Sequence, residues 1–222
     1  MKALLVDLYD TLVWTDWRAL GQLLAARLGV DGATLLRAFE TTSVGRGSGH
    51  YGSVRGDLAA IVAAAGGQGL APTPGSADEA FLAALETELL GFLKNATHLY
   101  EDVRPVLRAV RASGTRVAIV SNCDHATRPL LESLGLAGDV DATVLSFEVA
   151  SLKPHAAIFE HALARLGVGA EDAVFIDDQP RFLDGARALG MRTLQITRTP
   201  GFAPPAAAEP HPLIADLTQL VP

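Results

Sequence analysis

The chain has 222 residues, 49% of them hydrophobic and 19% charged, with a formal net charge of −7. That length suits one domain, or a domain carrying a sizeable insertion, and the apolar content supports a packed core rather than a disordered chain. The acidic balance, unrelieved by any basic stripe, argues against nucleic acid as a partner, and no apolar run nears the ~18 residues that a membrane span requires.

Met1-Lys2 followed by Ala3-Leu4-Leu5-Val6 has the opening of a signal peptide. Asp7 and Asp10 interrupt the apolar stretch, so it reads instead as a first strand that ends in acid. The single cysteine, Cys123, excludes an internal disulfide and suits a reducing cytosol, so a cytoplasmic protein is expected. Residues 15–95 then carry helical spacing: Leu20, Leu23, Leu24 and Leu28, and later Phe81, Leu82, Leu85, Leu89 and Phe92. Stretches containing Gly or Pro at 45–56 and 66–75 punctuate these helices, and no strand pattern stands out among them. Further along, short branched apolar runs at 116–120, 142–145, 173–176 and 192–196 alternate with helical stretches near 104–112, 126–134, 155–166 and 181–189. Such runs suit parallel strands covered on both faces. The alternation predicts an α/β fold, a doubly wound (Rossmann-like) parallel sheet core with an inserted helical cap. The core is assigned to 1–14 and 96–222 and the cap to 15–95. A segment rich in Pro and Ala at 199–212 is expected to be irregular, and 213–220 to form a short closing helix.

Ligands of open α/β sheets bind beyond the carboxyl ends of the strands, so the residue after each apolar run is a candidate. The first run leads to Asp7, 116–120 to Ser121 and Asn122, and 173–176 to Asp177 and Asp178. Ser151-Leu152-Lys153-Pro154 follows the run at 142–145. Each has an ordinary alternative: a cap for the acids, a turn for Ser121-Asn122, a surface lysine for Lys153. Two adjacent acids beside a buried strand are nevertheless costly without a counter-charge, which a divalent cation would supply. Pro154 suits the first position of the next helix, an end that repels cations, so Lys153 calls for an anion nearby. Hard oxygen donors from a few carboxylates, completed by water and phosphate, suit Mg²⁺. Asp7 would then attack a phosphoryl group while metal and lysine hold the charge.

The order and spacing of these pieces resemble the haloacid dehalogenase-like (HAD) hydrolase superfamily over nearly the whole chain. DLYDT resembles its first motif, DxDxT; VSN its second; LKP its third; IDDQPRFLDGARALGM its acidic fourth. The helical insertion matches the cap placed between the first two motifs. The resemblance implies that Asp7 is the nucleophile of an aspartyl intermediate, that Thr11 and Ser121 bind the transferring group, and that Lys153 neutralises it. It also implies that Asp178 ligates Mg²⁺ together with Asp7 and the Tyr9 backbone carbonyl, with Asp177 supporting the site or sharing the metal. Asn122, beside Ser121, is taken as a substrate contact.

One position departs from the phosphatases of the superfamily. They carry a second Asp two residues beyond the nucleophile, which protonates the leaving group and later activates water. Here Tyr9 stands there, and Asp10 is one place too late. The 2-haloacid dehalogenases carry a DxYxT-type first motif and use no metal, but a Ser and an Asn precede their fourth-motif Asp instead of an acid pair. Positioned acid–base catalysis is worth roughly 10² to 10⁴ in rate. The expected activity is therefore a Mg²⁺-dependent phosphatase of a small anionic, phosphorylated metabolite, weak on poor leaving groups. Metal-independent 2-haloacid dehalogenation, or a binding or regulatory protein with weak turnover, are the alternatives. The Tyr9 ring is expected to pack beneath the cap.

For substrate choice, TTSVGRGSGHYG (41–52) holds Arg46, His50 and Tyr51 among four glycines, and Arg46 is taken as its anion-binding group. A plain helix–helix connection is the ordinary reading of the same stretch. Asp124 is expected to cap a helix and Cys123 to pack, and the histidines show no zinc spacing. The chain is expected to act as a monomer or homodimer.

Overall fold

The computed structural model describes residues 1–66, 77–198 and 211–220. Its centre is a six-stranded parallel sheet. The first strand, β1 (Ala3–Val6), pairs with β4 (Arg116–Ser121) on one side and β6 (Ala173–Asp177) on the other, so that Val6 stands opposite both Ile119 and Ile176. With β5 (Ala142–Leu145), β7 (Arg192–Ile196) and β8 (Leu213–Ile214), the order is β5-β4-β1-β6-β7-β8. The chain builds outward from β1 through β4 to β5, then returns to β1's other side for β6. The tips of β4, β1 and β6 therefore lie together at the point where the strand order reverses, the usual ligand crevice of such sheets.

Period-two patterning explains why both faces are covered. Leu4 and Val6 face a layer that includes Val103, Val106, Leu107 and Val110 of α5 (Val103–Ala112). Ala3 and Leu5 face the opposite layer, with Ile158, Phe159 and Ala162 of α8 (Ala156–Leu166) and Leu183 and Ala186 of α9 (Pro180–Ala188). A third cluster joins α1 (Trp17–Leu28), α2 (Gly32–Gly47), α3 (Val54–Ala64) and α4 (Ala77–Ala96) through Leu20, Leu24, Leu35, Leu58, Leu82 and Leu85. It extends to Leu130 of α6 (Thr127–Leu134), which seats this helical layer on the sheet domain. No helix among the described residues is long and apolar enough to cross a membrane.

Several expectations are corrected. A two-stranded antiparallel ribbon, β2 (Val13–Thr15) with β3 (Thr97–Leu99), joins the two passages between sheet and helical layer. Three residues per strand are too few for alternation to register. The stretch 41–52 is not a free loop, because α2 runs through it to Gly47 and puts Arg46 in its last turn. Its glycines serve close packing: a Cβ on Gly45 would meet the Tyr51 ring at 2.7 Å, and one on Gly47 the Leu152 side chain at 2.7 Å. Pro154 does not open a helix. The Lys153–Pro154 bond is cis, and α8 begins at Ala156 behind His155. Residues 213–220 form β8 and a 3₁₀ turn, Leu217–Leu220, rather than a helix, and a short helix α7 (Ser146–Val149) follows β5. Of the segment at 199–212, positions 199–210 lie outside the described residues.

Candidate active site

Asp7 follows β1, and its backbone N–H donates to Ile176 O at 2.9 Å, which locks it beside the end of β6. Asp177 ends β6, fully buried, and Ser121 ends β4. Lys153 reaches them from the segment after α7. Its Nζ donates to Asp7 Oδ1 at 2.5 Å and to Asp177 Oδ2 at 2.6 Å, with the lysine itself 3% exposed. Burial pushes both carboxyls above their ordinary range, Asp177 strongly, and the lysine charge pulls them back. Burial also pulls Lys153 down, but Asp177 and Asp7 outweigh it and hold the ammonium above the usual lysine range.

The counter-charge for the acid pair is thus supplied in part by the protein, a correction to the expectation that a metal alone provides it. Asp177 is committed: Oδ2 to Lys153, Oδ1 to the Gln179 N–H at 2.8 Å. Asp178 is not. It takes an amide hydrogen bond from Gln179 Nε2 at 2.5 Å, and no salt bridge among the described residues reaches it. Carboxylate oxygens of Asp7, Asp177 and Asp178 all lie within 4.8 Å of one another. Carboxylate oxygens are the hard donors that Mg²⁺ takes, so this donor set is chemically suited to the ion. Two buried hydroxyls, Thr11 Oγ1 and Ser121 Oγ, have no protein partner, which a bound oxyanion would remedy.

Two expected substrate contacts, Asn122 and Arg46, line the cavity between the helical layer and the strand tips and already hold protein partners. Asn122 spends its side-chain amide on the Lys153 backbone, donating to its carbonyl at 2.9 Å and accepting from its N–H at 2.6 Å. It positions the lysine. Arg46 donates to Asp124 Oδ2 at 2.6 Å, to Thr42 Oγ1 and to Phe39 O, and lies over the Phe39 ring. Its charge ties α2 to the loop after β4, so it is not a free anion receptor. Asp124, expected to cap a helix, is its partner, although the Asp124 Oδ1 also accepts from the Ala126 N–H at 3.2 Å.

Tyr9 points toward the helical layer: its ring lies 5.1 Å from that of Trp17, and its hydroxyl is 3.0 Å from Thr127 Oγ1. Burial holds the phenol far above its ordinary range. Asp10 has a left-handed backbone, φ 58°, which Asp tolerates better than most residues. Desolvation, then Asp178 and Asp7, push its carboxyl up to about 6.

Several supporting residues escaped the sequence reading. Gln195 on β7 donates to the Asp178 carbonyl at 3.2 Å, and Ser146 exchanges hydrogen bonds with the Cys123 backbone just beyond Ser121. Arg198 donates to Thr11 O at 2.9 Å while paired with Asp102. The strand-tip rule applied after the runs at 142–145 and 192–196 would have flagged Ser146 and, two places beyond Ile196, Arg198. Gln195, inside its run, carries no comparable signal.

A cavity of about 970 Å³ separates the helical layer from the strand tips, with Tyr9, Asp10, Asn122 and Lys153 in its wall. Asp7 and Asp178 are not wall residues; Lys153 is the element shared by the cavity and the carboxylate cluster.

Comparison with known proteins agrees with this geometry. The family profile of haloacid dehalogenase-like hydrolases matches residues 1–190. The enolase-phosphatase E1 of Streptomyces avermitilis is 35% identical over 105 residues, 46% of this chain and 44% of that protein. The haloacetate dehalogenase H-2 of a Moraxella species is 30% identical over 105 residues, 47% of this chain and 46% of that one. The matches span about half the length of these curated relatives. Among solved structures, a HAD phosphatase from Thermococcus onnurineus aligns over 99% of this chain and 96% of its own with a TM-score of 0.67 at 24% identity. The L-2-haloacid dehalogenase of Xanthobacter autotrophicus aligns over 99% and 96% with a TM-score of 0.66 at 20% identity. At that identity the likeness establishes the fold, and the match over residues 1–190 establishes the family: the chain is a hydrolase of the haloacid dehalogenase-like superfamily.

Proposed function

We propose that this hydrolase cleaves phosphate monoesters of small molecules in the cytoplasm, using Asp7 as nucleophile, with residues 15–95 as a cap over the site. One observation carries the reading. Three carboxylates converge within 4.8 Å and, among the described residues, one lysine compensates them, which leaves a local charge suited to a divalent cation. Asp7, Asp178 and the Tyr9 backbone carbonyl are the proposed Mg²⁺ donors, with Asp177 retained by Lys153. When bound, Mg²⁺ would supply positive charge against the phosphoryl oxygens.

The chain's own residues do the rest. An Asp7 carboxylate oxygen bonds to phosphorus as the bond from phosphorus to the ester oxygen breaks. The leaving oxygen takes its proton from solvent. Water then attacks the phosphorus of the acyl phosphate, releasing phosphate and restoring the carboxylate. Lys153 lowers the repulsion between Asp7 and the incoming anion, and Asn122 fixes the lysine's backbone. Thr11 and Ser121 offer hydroxyls that have no protein partner. Tyr9 does not serve as acid, since its hydroxyl is bonded to Thr127 and its phenol is held far above its ordinary range. Good leaving groups are therefore favoured.

Hydrolysis of acetyl phosphate and phenyl phosphate, followed with Mg²⁺ and with excess chelator, tests this. Turnover should require the metal and vanish in Asp7→Asn. Chloride release from 2-chloropropionate in chelator, without phosphate release from either ester, would overturn it in favour of dehalogenation.

A further inference from the structure

The cavity says what kind of molecule the ester carries. Its acids are an exposed Asp10, Asp57 beside His125 and Asp124 beside Arg46; beyond these, Lys153 and Asn122, the wall is largely aliphatic and aromatic, with Leu20, Leu24, Leu35, Phe39 and Leu58 among its residues. At about 970 Å³ it sits at the upper end of the roughly 300–1,000 Å³ that drug-sized ligands occupy, far more than a phosphoryl group needs. Its two interior cations are already engaged, Lys153 by Asp7 and Asp177, Arg46 by Asp124. The remaining wall cations, Arg18 and Arg181, are exposed, where they attract an anion toward the site without binding one inside.

Gly21 is the second, independent observation. It lies within α1, where a glycine destabilises the helix relative to alanine. Unlike Gly45 and Gly47, it makes no close approach: a Cβ placed on it meets nothing within 4 Å, and it lines the cavity. The helix carries an unfavourable residue whose effect is to leave space.

The geometry points to a substrate whose leaving group is a bulky, uncharged apolar body, of fused-ring aryl or long alkyl size, seated in this cavity with its one anionic group toward Lys153. The substrate class rests on the phosphatase reading; the seat for an apolar body does not.

Two measurements test the inference separately from that reading. The first compares kcat/KM for phenyl and 2-naphthyl phosphate, whose phenols have nearly equal acidity, so that size rather than leaving ability differs. 2-Naphthyl phosphate should be favoured at least tenfold over phenyl phosphate, and over 2-phosphoglycolate, which carries a second anion. Gly21→Phe fills the space and should cut the naphthyl-to-acetyl phosphate ratio at least tenfold, and Gly21→Ala should give an intermediate value. The second is equilibrium binding of 2-naphthol, read by quenching of tryptophan, since Trp17 lines the cavity. Saturable quenching, weakened in Gly21→Phe, is expected. Equal kcat/KM for phenyl and naphthyl esters, a preference for 2-phosphoglycolate, or no saturable naphthol quenching would each overturn the inference, even with acetyl phosphate turned over. Naphthol binding without hydrolysis of any ester would overturn the phosphatase reading and leave the apolar seat standing.

Discussion

Lys153 Nζ lies 2.5 Å from Asp7 Oδ1 and holds Asp177 Oδ2 at 2.6 Å on the same ammonium. Removing one partner of a buried ion pair typically costs about 3–5 kcal/mol, because the other charge is left uncompensated. We predict that Lys153→Met abolishes hydrolysis and destabilises the fold by an amount in that range at pH 7. Both carboxyls bind protons more tightly folded than unfolded, so stability falls as pH rises through their folded values. Lys153 has the same sign in a higher window: its raised value contributes stability that is lost as pH rises from the usual lysine range through its folded value. The variant's deficit should therefore shrink toward pH 5, where the carboxyls can protonate. Urea denaturation at pH 5 and pH 7.5 measures this, and a deficit independent of pH would contradict it.

Within the cluster of Asp7, Asp177 and Asp178, Asp178 is the acid that no basic side chain serves among the described residues, and so the one most dependent on a cation. Mg²⁺ should raise the melting temperature, because a ligand of the folded state stabilises by about 2.7 kcal/mol at a hundredfold excess over Kd. Asp178→Asn should remove most of that shift in a thermal melt. An undiminished shift in this variant would place the ion elsewhere.

Tyr9 stands where a carboxylate would act as the acid and base. Tyr9→Phe should cost about 1 kcal/mol through loss of the hydrogen bond to Thr127, measurable by denaturation. Tyr9→Asp should raise kcat on ethyl phosphate at least tenfold, toward the roughly 10² to 10⁴ that such catalysis supplies. If the rate on ethyl phosphate does not rise in a folded variant, the missing acid is not what limits the enzyme.

Arg46 and Asp124 couple the helical layer to the loop after β4. A hydrogen bond to a charged group contributes about 1.5–3 kcal/mol. Arg46→Ala and Asp124→Ala should each destabilise, and the double variant should lose less than their sum. If Arg46→Ala raises KM a hundredfold while Asp124→Ala leaves it unchanged, Arg46 binds substrate after all.

Burial, then Asp124, pushes the Cys123 thiol up to about 12. Charging it in the folded state is therefore unfavourable, and stability falls as pH rises from the ordinary thiol range toward that value. Iodoacetamide at pH 8 should label Cys123 in urea at least a hundredfold faster than in buffer. Comparable rates would mean that the thiol is not held in its neutral form.

Much of this was legible in one dimension. The strands at 3–6, 142–145 and 192–196 occupy the positions that their branched apolar runs mark, since a strand buried on both faces admits little else. The acids after 6 and 176 follow from the rule that ligands gather at strand tips. The ribbon at 13–15 and 97–99 was not legible, because each half is three residues long and its partner is over eighty residues away. Nor was the helical state of Arg46, since glycines at 45 and 47 read as loop until Tyr51 and Leu152 are seen filling the space beside them.

The sequence alone determined which chemical groups reach the ends of the strands, because alternation along each strand and the length of each run dictate where the backbone leaves the sheet. Only the tertiary structure decided what those groups touch. Strand order brings β4, β1 and β6 together, and register then hands Lys153 to Asp7 and Asp177, Asn122 to the lysine backbone, and Arg46 to Asp124. Contacts between residues 24 to 146 positions apart are set by packing of the whole chain, and no local pattern records them.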